Sequence, residues 1–228
     1  MGADHLYVSL LDLSVSYALL TKGTWEPLTT AILRRTVKPG MAVVDIGAQL
    51  GYYTLLAARL VGTAGTVTAF EPDKRHLPLL LRSVRRNALQ NVTVVPKAVF
   101  SRTGRSALAV SHGTGPREID VVRLDDVWTD STPKVDLIKM DIDGAEPEAL
   151  DGMQGVLQQN PDAQLLVEYD PWQHRMADRH PEAFVDQMKD LGFQVEVAVN
   201  EAANWSGQAD WQDVLGMDQS VNLLLARR

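Results

Sequence analysis

Short apolar runs alternate with segments of helical period along most of the chain. Val43-Val44-Asp45-Ile46, Val67-Thr68-Ala69-Phe70, Val92-Thr93-Val94-Val95, Leu137-Ile138-Lys139-Met140 and Leu165-Leu166-Val167-Glu168 each read as a buried strand. Residues 52–61 and 77–88, lying between them, and residues 147–158, after the fourth, read as helices. That alternation predicts an α/β fold: a three-layer sandwich with a mostly parallel sheet and right-handed crossovers. Residues 184–191 then look helical, and residues 193–199 and 221–226 look like two strands joined by a long polar insert. Seven strands result, the last antiparallel. Residues 106–110 and 119–124 suggest two further short strands around a Gly-rich turn at 113–115. Ahead of the first strand, Pro27 opens an amphipathic helix that Lys38-Pro39-Gly40 closes. Residues 1–26 are thereby an N-terminal cap, and residues 27–228 the main domain.

Composition narrows the chemistry. Among 228 residues there is no cysteine, which excludes disulfide frameworks, thiolate metal sites and cysteine nucleophiles. A chain of this length buries enough surface to need no such staple. The formal charge of −7 opposes nonspecific binding to nucleic acid or an anionic membrane. No uncharged apolar stretch approaches the roughly 20 residues of a membrane span. The opening Met1-Gly2-Ala3-Asp4-His5-Leu6 lacks a basic region before an apolar block, so a cytoplasmic location is expected.

The most informative segment runs from the first strand through Gly47-Ala48-Gln49-Leu50-Gly51 into Tyr52-Tyr53-Thr54, a ligand loop at a strand's carboxyl end. Its glycine spacing is neither that of a dinucleotide fingerprint nor that of a phosphate loop. Asp45 would repel a pyrophosphate but attract a cation such as the sulfonium or ammonium of S-adenosylmethionine (SAM). Gly47 and Gly51 would let the backbone approach a ligand closely. Glu71-Pro72 ends the next strand, where an acid can accept both ribose hydroxyls of an adenosine. Taken singly, the glycines fit ordinary turn chemistry and Glu71 fits a solvated acid. Their placement on consecutive strands favours a nucleoside site.

With these residues assembled, the chain resembles the FkbM-type SAM-dependent methyltransferases from about Thr24 to Ala226. The matching blocks are Gly23-Thr24-Trp25-Glu26-Pro27, the loop from Asp45 to Thr54, Glu71-Pro72, Arg123-Leu124-Asp125-Asp126, and Ile138-Lys139-Met140-Asp141-Ile142-Asp143-Gly144-Ala145-Glu146. Gln49 and Asp143 stand where the family usually has Asn and Glu. The resemblance implies a seven-stranded class I methyltransferase (Rossmann-like) fold and O-methylation of small molecules, often natural products or sugar hydroxyls. It also implies that Asp45, Gly47 and Gly51 surround the methionine part of the cofactor, with Ala48, Tyr53, Thr54 and Asp141 also among the cofactor-binding residues. Glu71 with Pro72 would hold the ribose, and Lys97 and Ala98 would lie near the adenine.

Acidic residues collect at the strand ends beside this loop: Asp141, Asp143 and Glu146 after the fourth strand, Glu168 and Asp170 at the fifth. Lys139 and Asp141 share a strand face about 7 Å apart. An alcohol must lose a proton as it is methylated, and Asp141, Glu168 or His174 could accept it. A divalent ion bridging Asp141 and Glu168 or Asp170 is an alternative, less favoured than a metal-free site. Lysine 139 and Glu146 also fit structural roles, as an ion-pair partner and a helix N-terminal acid. Specificity is expected in residues 1–26, 111–118, 171–176 and 200–219, where lids sit. The first of these could instead make a homodimer contact through Leu6, Leu10, Leu13 and Tyr17.

The expected partner is a small-molecule acceptor, with no nucleic acid and no membrane. A silent scaffold that keeps the fold is disfavoured by the intact Asp45, Gly47, Gly51 and Glu71. A nicotinamide-dependent oxidoreductase is disfavoured by the glycine spacing and by Asp45.

Overall fold

The computed structural model describes residues 4–10, 12, 14–108, 117–129, 132–176 and 180–227. The expected strands form β1 (Ala42–Ile46), β2 (Thr66–Phe70), β3 (Val92–Val95), β7 (Leu137–Met140), β8 (Gln164–Tyr169), β9 (Phe193–Asn200) and β11 (Val221–Arg227). An eighth strand, β10 (Trp205–Gly207), joins the same sheet from within the polar insert. The order is β10-β9-β11-β8-β7-β1-β2-β3. Strands β3, β2, β1, β7 and β8 run parallel, and β11 runs antiparallel to both β8 and β9. Strands β4 (Ala98–Val99), β5 (Gly104–Leu108) and β6 (Arg117–Val122) make a separate small sheet. The expected turn at Gly113 and Gly115 lies outside the described residues, as does most of the expected lid at 111–118.

Two apolar layers sandwich the sheet. On one face, α2 (Pro27–Thr36), α3 (Tyr52–Val61) and α4 (Leu77–Arg86) cover Val43, Val67, Leu166 and Leu224. On the other, α6 (Glu146–Asp151), α7 (Gln154–Gln159) and α9 (Pro181–Asp190) cover Ile46, Ile138, Val167 and Leu225. Alternate residues of each central strand thus enter opposite cores, and both faces are dry.

The helix expected over 147–158 is two short helices. The break is at Gly152, where a Cβ would stand 1.9 Å from the carbonyl oxygen of Phe100, too close for any other residue. The N-terminal segment, expected as a lid or a dimer contact, packs against the helices of one face. Its beginning straps across α3 and α4: Asp4 pairs with Arg59 at 2.7 Å, the Asn87 side chain brackets the His5 backbone, and the Tyr7 amide donates to Ser83 Oγ. Helix α1 (Val15–Lys22) follows, leaving Leu10, Tyr17 and Leu20 exposed. Leu13 lies outside the described residues. No helix among the described residues is long and apolar enough to cross a membrane.

Candidate active site

Strand order reverses at β1, whose neighbours β7 and β2 lead in opposite directions, and ligands of open α/β sheets bind at such a switch point. The loop after β1 is built to fit there. Gly47, at φ +83°, turns so tightly against β7 that a Cβ would lie 2.0 Å from the Asp141 carbonyl oxygen. Gly51, at φ +93°, packs its α-carbon against Leu80. Both glycines therefore also serve close packing of protein on protein. The amides of Gly47 and Ala48 both donate to the Phe70 carbonyl, which fastens the loop to the end of β2.

Glu71 follows directly and is 5% exposed. One carboxylate oxygen accepts the Gln49 amide and the other the Asp73 amide, each at 2.7 Å. Each oxygen keeps a further lone pair, so a fixed, buried carboxylate can still receive a vicinal diol. The Val95 carbonyl accepts the amides of both Glu71 and Lys97, which sets Lys97 and Ala98 beside that acid. This donor and acceptor set fits the nucleoside half of SAM.

The registers Asp45↔Lys139, Lys139↔Leu166 and Glu168↔Asn222 place Asp45, Lys139, Glu168 and Asn222 on one face of the sheet, the face beneath α2 and α3. Asp45 is 1% exposed, accepts from Thr54 Oγ1 at 2.6 Å, and is held above the usual carboxylate range by burial, with the Lys139 charge opposing. Its other oxygen, Oδ1, is buried with no hydrogen-bond partner. Lys139, 4% exposed, pairs with Asp141 at 3.2 Å and lies over the Tyr53 ring at 5.0 Å. Burial opposes its charge, but Asp141, Asp45 and Glu26 together raise its pKa. Lys139 therefore ties the two ligand loops together, and its structural reading holds in this geometry.

Glu26, in sequence part of a matching block and a fallback candidate for the base should Asp141 not serve, is central in the structure. It precedes Pro27 at φ 40°, a backbone conformation that few non-glycine residues adopt. The turn aims its carboxylate at the sheet end, where Tyr53 Oη donates to it at 2.7 Å. Burial first, then the neighbouring Asp141, pushes Glu26 up to about 7. Burial and Asp141 also hold Glu168 well above the carboxylate range, although Ser220 Oγ donates to it at 2.7 Å. Glu146 is pushed up to about 7 by burial, against the Ile142 amide that it accepts at 2.9 Å. Several carboxyls crowd around Asp141, and they cannot all be ionised at neutral pH.

A cleft of about 440 Å³ opens beside these acids, lined by Glu26, Asp170, Trp172, Glu201, Ser220 and Asn222 among others. Glu201 closes one side by accepting both the amide and the hydroxyl of Thr29 in α2.

His174, expected as a candidate base, is elsewhere. Its helix α8 (Pro171–Met176) turns the imidazole into the core between Tyr169 and Phe184, where it is 1% exposed and neither ring nitrogen has a hydrogen-bond partner. Burial lowers its pKa. It cannot reach an acceptor in the cleft. No group of three or more His, Asp or Glu side chains that could hold a metal occurs among the described residues.

Comparison with known proteins agrees with this geometry. Residues 45–195 match the model of the "Methyltransferase FkbM domain". The chain belongs to the FkbM methyltransferase family. The matched region contains the loop after β1, Glu71, Lys139, Asp141 and Glu168. Protein-L-isoaspartate O-methyltransferase 1 of Arabidopsis thaliana is 33% identical over 82 residues, covering 36% of this chain and 32% of that protein. The match thus spans about a third of the relative's length. Among solved structures, a SAM-dependent methyltransferase from Aquifex aeolicus aligns with a TM-score of 0.53 at 17% identity, covering 86% of this chain and 88% of that one. A structure described as a putative rRNA methylase from Clostridium thermocellum gives 0.55 at 13%, covering 88% and 96%. At such identities these two speak to the FkbM chain's fold alone. The FkbM match begins at Asp45 and so leaves out Glu26, the acid that reaches the site from the cap.

Proposed function

We propose that this methyltransferase transfers its methyl group to a hydroxyl of a small molecule held in the cleft between Glu26 and Asn222. When bound, SAM supplies an electrophilic methyl group, and Glu71, the loop after β1 and the Lys97–Ala98 strand entry would hold it. The observation that carries the reading is Glu26: a buried carboxyl raised to about 7, facing a cleft of a size that fits a small molecule. Such a carboxyl is half ionised near neutral pH, where a general base is most effective. Tyr53 fixes the orientation of Glu26, and the Lys139–Asp141 pair sets the field around it. Asp141, 29% exposed, stands where it can orient the hydroxyl. Glu168, whose pKa burial and Asp141 raise, can in its protonated form donate a hydrogen bond to the same oxygen. Holding acceptor and methyl group in line supplies the rest of the acceleration. The acid-lined cleft disfavours a nucleic-acid acceptor, whose phosphates it would repel.

Incubating the protein with SAM and a panel of hydroxylated metabolites, with products read by mass spectrometry, tests the reading. Products gaining one methyl on oxygen are expected. Methylation confined to RNA or protein substrates would overturn it.

A further inference from the structure

The far half of the cleft is not needed for proton transfer, and it has a distinct character. Glu201, Asp218 and Asp170 line it with Glu26, and its lining includes no lysine or arginine. Asp170 uses one oxygen to accept the amides of Trp172 and Gln173, and Glu201 uses one for Thr29. The second oxygen of each, and both oxygens of Asp218, bond to nothing else among the described residues, and no cationic side chain there pairs with these three acids. Two further observations point to a ligand. Asn222 is 4% exposed and lines the same cleft, and its side-chain amide has no hydrogen-bond partner among the described residues. Trp172 holds a large aromatic surface 61% exposed at the mouth. An aromatic face beside uncompensated carboxylates attracts ammonium groups, and a concave site focuses that attraction.

We propose that the methyl acceptor is a hydroxylated amine, bound as its ammonium by Asp170, Glu201 and Asp218 against Trp172, with Asn222 receiving a neighbouring hydroxyl. This rests on the reading of the cleft as the acceptor site and adds the substrate's charge to it. The acids sit at the ends of β8, β9 and β11, across β7 from the loop after β1 and Glu71, so the ammonium of SAM itself does not occupy them.

The test is calorimetric titration of the protein saturated with S-adenosylhomocysteine, using neamine, an amino pseudodisaccharide, against maltose, a neutral disaccharide of similar size. Neamine should bind at least tenfold more tightly than maltose. The combined variant Asp170→Asn, Glu201→Gln, Asp218→Asn keeps the acceptor oxygens for the α8 amides and Thr29, so it should fold, and it should weaken neamine tenfold or more. Removing acids elsewhere, with Asp162→Asn and Asp186→Asn, should change neamine binding by less than about twofold. Equal affinity for the two probes, or equal losses in both variants, would overturn the proposal, because the attraction would then be diffuse. If S-adenosylhomocysteine fails to bind, the cofactor reading fails separately, and the same probe comparison on the unliganded protein still decides this one.

Discussion

At the scale of single residues, the arrangement separates positioning from proton transfer. Glu26 at about 7 predicts that turnover rises as pH increases through that value, because the base must be ionised to accept the proton. Glu26→Gln should lower kcat roughly 10²- to 10⁴-fold and remove that rise, with SAM affinity changed no more than a few-fold. A pH profile of kcat on both proteins checks this, and an unaltered rise in the variant would assign the base elsewhere. Asp141→Asn should also lower kcat, but the rise should persist and move to lower pH, because the Asp141 charge helps raise Glu26 while Glu26 itself stays in place. Part of this was legible in sequence. Asp141, Glu168 and Lys139 are close along two strands, so period-two reasoning puts them at one sheet end. Glu26 and Asn222 are far from them in the chain and are joined only by the packing of α2 and β11. His174 misled because nearness to Glu168 in sequence carries no information about which way a short helix turns its face.

At the scale of elements, the strands were readable because buried parallel strands are apolar throughout and bounded by turns. Strand β10 was not, since Trp205 and Ser206 are exposed and three residues cannot show a period. The break between α6 and α7 was hidden for a different reason: what requires Gly152 is a carbonyl some fifty residues away in the chain. The same logic makes a prediction about the loop after β1. Gly47→Ala would place a methyl group 2.0 Å from the Asp141 carbonyl oxygen and at positive φ. It should cost roughly 3 kcal/mol or more and disrupt the site by separating β1 from β7. Gly23→Ala, in the left-handed region at φ 71° and ψ 4° but facing open space, should cost only about 1–2 kcal/mol. Chemical denaturation of the two variants compares them, and equal losses would mean that backbone strain alone, not the contact with β7, makes Gly47 necessary.

At the scale of the whole molecule, the buried acids link stability to pH. Burial raises Glu26 and Glu146 to about 7 and also raises Asp45 and Glu168. Between the ordinary carboxylate pKa near 4 and about 7, the folded chain therefore binds more protons than the unfolded chain, so stability falls as pH rises through that window. His174, lowered by burial, opposes this below its ordinary value near 6.5, but with one proton against several. The melting temperature should be several degrees higher at pH 5.5 than at pH 8, and Glu146→Gln should reduce the difference. A melting temperature that is flat or rises toward pH 8 would show that these carboxyls are not held protonated. The fold thus tolerates a crowded acidic centre at the sheet end proposed as its site, and two apolar layers supply the compensating stability.

The central claim is that this sheet end binds SAM through Glu71, and calorimetric titration with S-adenosylhomocysteine tests it most directly. The wild-type protein should bind the compound with one site per chain, while NAD gives no heat of binding. Glu71→Ala, shown to be folded by an unchanged cooperative melt, should bind at least tenfold more weakly, because each lost charge-assisted hydrogen bond to the ribose is worth roughly 1.5–3 kcal/mol. An unchanged dissociation constant in the folded variant, or binding of NAD in its place, would contradict the account.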